Sequence, residues 1–340
     1  MVTLDYKQRQ PFVDVMKCLG IMLVIMGHVT RSKWIINWIY SFHIPLFFFV
    51  SGYLFSGQKK SFKQFLSRKF ETLIIPYLLF YLLTYLYWVS IERHFQVVDV
   101  AVWRPLVGIF YGHNAYNFMA HNVVLWFIPC LFVLETIFML VYKFSEGKPL
   151  FIIMSGLFIL FLGIIFSEHQ INLPWGINAA CMVYAFYLFG YFCKPILNYQ
   201  KKYIISLSSL LFITIYYIFV FNYDVRIDVG SGTYDNYFLF CINAIVGTSL
   251  IVFISHFINK NGILEWIDRN TLVIMCIHVS LCRIIIWVFS KLYHVDTMAV
   301  RSNIFLSFVI TLMALVCCIP FIYIYNKYIN FQWRTIMNKN

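Results

Sequence analysis

Charge is scarce in this chain. Only 12% of its 340 residues are Asp, Glu, Lys or Arg, 61% are hydrophobic and the mean hydropathy is +0.77. A soluble domain carries roughly 25% charged residues, and no water-soluble fold can bury so much apolar surface. Acidic residues are scarcer still, 14 against 26 Lys and Arg, which leaves a net charge of +12. That excess does not imply nucleic acid as a partner, because the bases gather at the ends of apolar runs, where anionic lipid headgroups attract them. Short alternating strands are missing, which excludes an outer-membrane barrel. Internal repeats and Gly/Pro-rich linkers are missing too, so residues 1–340 read as a single membrane domain. The nine cysteines lack metal-type spacing, with Cys317 and Cys318 merely adjacent, so the chain is expected to hold neither a disulfide framework nor a metal. They read as small core residues. The first apolar run follows a polar stretch and has no small-residue cleavage pattern behind it, so it is expected to be retained.

What the chain has instead is long apolar runs. A bilayer core of about 30 Å takes roughly 20 apolar residues per spanning helix. Ten runs of that length lie near 12–30, 35–55, 73–90, 123–142, 149–167, 175–193, 203–221, 237–258, 271–290 and 303–325. Backbone groups in hydrocarbon must pair within their own segment, so the expected fold is an all-α integral membrane bundle of about ten transmembrane helices. Seventeen Lys and Arg fall on the side of the termini and seven on the other, which predicts that both termini are cytoplasmic. Residues 59–71 place Phe62, Phe65, Leu66 and Phe70 opposite a cluster of bases, the pattern of an in-plane interfacial helix. The loop near 91–122 is long and polar and is expected to cover an acceptor site.

Ionisable residues inside spans are costly and are read first as functional. Lys17, His28, His43, Glu135, His278 and Arg283 qualify. Lys17 and His28 are eleven residues apart, three helical turns plus about 20°, so they share one stripe about 16 Å long. The pair suits a ligand with an anionic part near Lys17 and a reactive end near His28. Bland readings stand beside it: Asp14 can pair with Lys17 at i,i+3, and His28 can be a helix-end residue at headgroup level. Pro45 is expected to kink the second span beside His43. For Glu135 and Arg283 the economical alternative is a mutual ion pair, and for His278 a hydrogen bond to a neighbouring helix.

The stretches DVMKCLGIMLVIMGH (Asp14 to His28), IYSFHIPLFFFVSGYLF (Ile39 to Phe55), SRKFETLIIPY (Ser67 to Tyr77), LWFIPCLF (Leu125 to Phe132) and IMCIHVSL (Ile274 to Leu281) together resemble acyltransferase family 3. The similarity is greatest to its fucose 4-O-acetylase-like branch. The resemblance implies a cytoplasmic acyl-CoA donor, usually acetyl-CoA, no permanently bound cofactor, and a cell-surface glycan or lipid-linked sugar as acceptor, in a bacterial inner membrane. It matches Lys17 and His28 to the family's basic residue, ten spacers and histidine, with Lys where much of the family has Arg. Arg68, before Pro76, matches a position that meets the CoA phosphates. Ser51, Gly52 and Tyr53 match a serine–glycine–aromatic element, with Ser51 on the donor side, and Trp126 lies in a further matched stretch.

An acyl thioester reacts slowly with a hydroxyl at neutral pH, so a base must take the hydroxyl proton. His28 is the candidate, either as direct general base or as a covalent acyl carrier. Two other readings remain from sequence, a secondary transporter of a solute or glycolipid and a non-catalytic scaffold.

Overall fold

A computed structural model describes residues 10–57, 60–95, 100–113, 117–198, 227–232, 234, 236–259 and 261–330. Its helices are α1 (Pro11–Val29), α2 (Lys33–Tyr40), α3 (His43–Tyr53), α4 (Phe62–Lys69), α5 (Ile75–Ser90), α6 (Trp103–Tyr111), α7 (Phe127–Phe144), α8 (Pro149–Glu168), α9 (Ile177–Asn198), α10 (Tyr237–Phe257), α11 (Gly262–Tyr293), α12 (Thr297–Ser302), α13 (Ile304–Cys317) and α14 (Ile319–Ile324). Among the described residues, nine helical runs are long and apolar enough to cross a membrane. They coincide with nine of the ten expected spans, and the remaining one, 203–221, lies outside the described residues. The protein is an all-helical, multi-pass integral membrane protein.

The second span is a broken helix, as Pro45 predicts. Proline offers no N–H to the carbonyl four residues back, and the break between α2 and α3 falls there, at Ser41 and Phe42. The segment expected to lie flat at the interface does form a helix, α4. Ser61 starts it with a capping box: the Gln64 N–H donates to Ser61 Oγ and the Ser61 N–H to Gln64 Oε1, both at 3.2 Å. It does not stop at its own end, however. A π-helical turn, Phe70–Ile74, joins it to α5, so one continuous run covers Phe62–His94. The cause is Pro76, which leaves the Thr72 carbonyl without its usual donor; the chain widens one turn earlier, the Ile75 N–H bonding to the Phe70 carbonyl, and continues.

The chain forms two compact units, a terminal one of Met1–Ile39 with Ser249–Asn340 and a central one of Tyr40–Thr248. In the central unit α3 and α9 run side by side in the same direction, Phe49 against Phe189 and Lys194 Nζ donating to the Phe55 carbonyl at 3.0 Å. Gly52 and Gly190 sit at the crossing, where a Cβ on either would overlap the partner's backbone. Close backbone approach through small residues is how helices associate without a hydrophobic driving force. The long loop is also well anchored. Tyr77, Tyr81 and Tyr85 repeat every four residues on α5; the Tyr77 and Tyr85 hydroxyls donate to the carbonyls of Ile109 (2.9 Å) and Val102 (3.3 Å), and the single Tyr81 O–H is shared between those of Pro105 and Phe118 (2.7 and 2.9 Å). Among its described residues the segment expected to be a polar loop carries a helix, α6, and is bonded to α5 at these points.

In the terminal unit α1 packs on α11, and both run the same way. The Asn261 carboxamide accepts from the Leu264 N–H at 2.9 Å and starts α11 nine residues before the apolar run begins. Gly190→Val is expected to lower the thermal midpoint of the purified protein by the equivalent of about 1–3 kcal/mol or more. Gly262→Ala, where a Cβ meets nothing within 4 Å, should leave the midpoint unchanged.

Candidate functional site

Two constellations gather the sequence-selected residues, one in each unit. In the terminal unit, Lys17 Nζ lies 2.7 Å from Asp268 Oδ1 and donates to the Asp268 carbonyl at 3.3 Å. Asp268 is 2% exposed and Lys17 27%, so the carboxylate is buried against α1 while the ammonium keeps an open side. The carboxylate that Lys17 engages in this way comes from α11, 251 residues on. Eleven residues further along α1, His28 meets His278 with ring centroids 5.4 Å apart at 54°. The C-terminal end of α1 is held by Arg301, whose Nε donates to the Val29 carbonyl at 2.9 Å and whose guanidinium NH2 donates to the His28 carbonyl at 2.8 Å. A guanidinium on the last carbonyls of a helix satisfies orphan acceptors and opposes the helix dipole. His278 is fully buried, with Nδ1 2.9 Å from the Met275 carbonyl and 3.1 Å from that of Ile274. Both carbonyls belong to its own helix, so the bond to a neighbouring helix that the sequence offered as the alternative is not what Nδ1 makes; across to α1 its neighbour is the His28 ring. Arg283 lies half-buried one and a half turns beyond it on α11.

The second constellation is a cavity of about 260 Å³ in the central unit, walled by Ser51, Lys60, Arg68, Lys69, Thr72 and Glu135 among others. Two of the expected donor residues, Ser51 at the end of α3 and Arg68 near the end of α4, therefore face one space. Burial, with the positive charges of Arg68 and Lys69 beside it, holds Lys60 below the ordinary lysine range. Glu135, 3% exposed on α7, is paired with Lys69 at 2.7 Å. This corrects the expected Glu135–Arg283 pair: the glutamate is neutralised from α4, a segment that sequence spacing assigned to the headgroup level. Asp14, His43 and Tyr53 are buried, His43 edge-on to Tyr40 at 4.8 Å. Trp126 is buried at the end of a 3-10 turn, against Gly230. In the loop, burial pushes His113 down to about 4, so that ring is neutral across the physiological range.

Asp268, Arg301, Lys60 and Lys69 were not singled out by sequence. Asp268 and Arg301 lie at the margins of apolar runs, where charges are unremarkable, and Lys60 and Lys69 were counted only as part of a basic surface face.

A multi-pass helical membrane protein with paired intramembrane histidines and a basic cavity is the class these features define. The chain belongs to acyltransferase family 3: the family model described as an acyltransferase domain matches residues 10–324. The protein is a membrane acyltransferase. Comparisons with curated proteins and with solved structures gave no match.

The Lys69–Glu135 pair has one buried and one partly exposed member. Lys69→Met is therefore expected to cost about 3–5 kcal/mol by stranding a buried carboxylate. Glu135→Gln should cost less, because the ammonium can turn to water. Thermal melts of the two purified variants read this order directly.

Proposed function

We propose that the protein transfers an acetyl group from cytoplasmic acetyl-CoA to a hydroxyl of a cell-surface glycan or lipid-linked sugar, with His28 as the base. The observation that carries this reading is the grouping of Ser51, Lys60, Arg68 and Lys69 around one cavity in a chain of this family. CoA is a polyanion, and three bases against one carboxylate leave net positive charge for its phosphates. At about 260 Å³ the cavity is small for a whole organic ligand and suits the phosphate-bearing end. Lys17, 27% exposed beside the buried Asp268 carboxylate, has an ammonium with an open side toward an anionic ligand.

The acceptor oxygen attacks the thioester carbonyl as His28 takes its proton, the C–S bond breaks, and the thiolate leaves as the thiol. Base assistance of this kind contributes about 10²–10⁴-fold, with the remainder from positioning. In the alternative sequence of steps His28 accepts the acetyl group and passes it on. Charge asymmetry supports cytoplasmic termini, and with that orientation the basic cavity would face the side on which the donor is found.

The test is to incubate purified protein with radiolabelled acetyl-CoA and membrane glycolipids. Label should appear in alkali-labile ester. His28→Ala should abolish transfer, and Arg68→Ala should raise the Kd for CoA about tenfold, equivalent to about 1.4 kcal/mol. Wild-type turnover in the His28 variant would remove the base, and unchanged CoA affinity in the Arg68 variant would remove the donor assignment.

A further inference from the structure

His278 has a nitrogen with nothing to do. Its Nδ1 lies within hydrogen-bond distance of two backbone carbonyls, those of Ile274 and Met275. Carbonyl oxygens only accept, so Nδ1 carries the hydrogen, and in the neutral ring Nε2 is a lone pair. That lone pair is buried and has no hydrogen-bond partner among the described residues. Histidines that bond backwards to their own helix are ordinary when the other nitrogen reaches water. His256 is of that sort, half-exposed with Nδ1 2.7 Å from the Val252 carbonyl. At His278 no water side exists, because the residue is 0% exposed. A buried acceptor left unsatisfied costs folding free energy, and such groups in native proteins call for an explanation.

Its ring neighbour supplies one. The His28 ring lies 5.4 Å away, centroid to centroid, a separation at which facing ring nitrogens approach hydrogen-bond distance after a small rotation. The backbone of His28 is meanwhile pinned by Arg301. We infer that His278 is the positioning residue for His28, its Nε2 accepting the second N–H of His28 when that ring becomes an imidazolium. The inference rests on His28 being the base.

As the acceptor hydroxyl attacks, its proton moves to one nitrogen of His28, which then bears two N–H groups. One faces the reacting oxygen and sulfur, and the other donates to His278 Nε2. The C–O bond forms, the C–S bond breaks, and the thiolate takes the proton back, so both histidines finish neutral. This is the logic of a base oriented by a third group, with an imidazole in the place where soluble enzymes use a carboxylate. Burying a second imidazole in hydrocarbon is far less costly than burying a lone carboxylate.

Two polar substitutions separate this role from a merely structural one. His278→Asn keeps a donor for the Ile274 and Met275 carbonyls but leaves no acceptor at the position of Nε2. His278→Gln extends an amide oxygen to that position. Acetyl transfer by the purified full chain should fall about 10²-fold in kcat for the Asn variant with KM for acetyl-CoA nearly unchanged, and the Gln variant should recover at least tenfold of that loss. Thermal melts of each variant establish that it is folded. Near-wild-type kcat in the Asn variant, or equal impairment of folded Asn and Gln variants, would each overturn the inference. Turnover retained in His28→Ala alone would instead overturn the reading of His28 as base.

Discussion

The ion pair between Lys17 and Asp268 fixes the register of α1 on α11, and the terminal unit depends on that register. A carboxylate only 2% exposed in an apolar bundle needs a permanent counter-charge, and removing either partner strands the other. Once the pair is made, geometry carries forward along two helices that run the same way. Eleven residues of α1 rise about 16 Å and ten residues of α11 about 15 Å, so His28 and His278, on the facing stripes, arrive at the same level. Arg301 then closes the end of α1 by taking the carbonyls of His28 and Val29. Electrostatics at one end of a helix pair thus positions imidazoles at the other.

The central unit solves a different problem, holding positive charge in place without losing it to the bilayer. Its frame is close packing: Gly52 and Gly190 let two backbones touch, and the tyrosines of α5 hold the following segment by their hydroxyls. On that frame the π turn before Pro76 keeps α4 continuous with a spanning helix, so Arg68 and Lys69 are presented by helix rather than by a loop. Glu135 holds Lys69 by its ammonium, and Lys60 and Arg68 face the same cavity, which leaves that cavity net positive.

Most spans were legible to within a few residues because the bilayer dictates their length, but the runs Phe62–His94 and Gly262–Tyr293 begin about ten residues before the apolar stretches that marked them. The stripe of Lys17 and His28 was legible because helical periodicity is local. Partners were not. Asp268 lies on a helical stretch that precedes the apolar run beginning near residue 271, and only the Asn261 cap extends α11 back to include it. Glu135 was matched to Arg283 on charge and depth alone, whereas its partner is Lys69, brought in from α4. A local pattern predicts that α4 is helical, while Pro76 and the widened turn decide where it points. The tyrosine repeat at 77, 81 and 85 is visible in sequence, but in so aromatic a chain its hydroxyls stand out only once their carbonyls are known.

The parallel seating of α1 on α11 can be measured in membranes by cysteine cross-linking, with the nine native cysteines replaced by alanine. Cysteine pairs at 17/268 and at 28/278 should cross-link with a short reagent, and the exchanged pairs 17/278 and 28/268 should not. Efficient cross-linking of the exchanged pairs, or of none, would contradict the account.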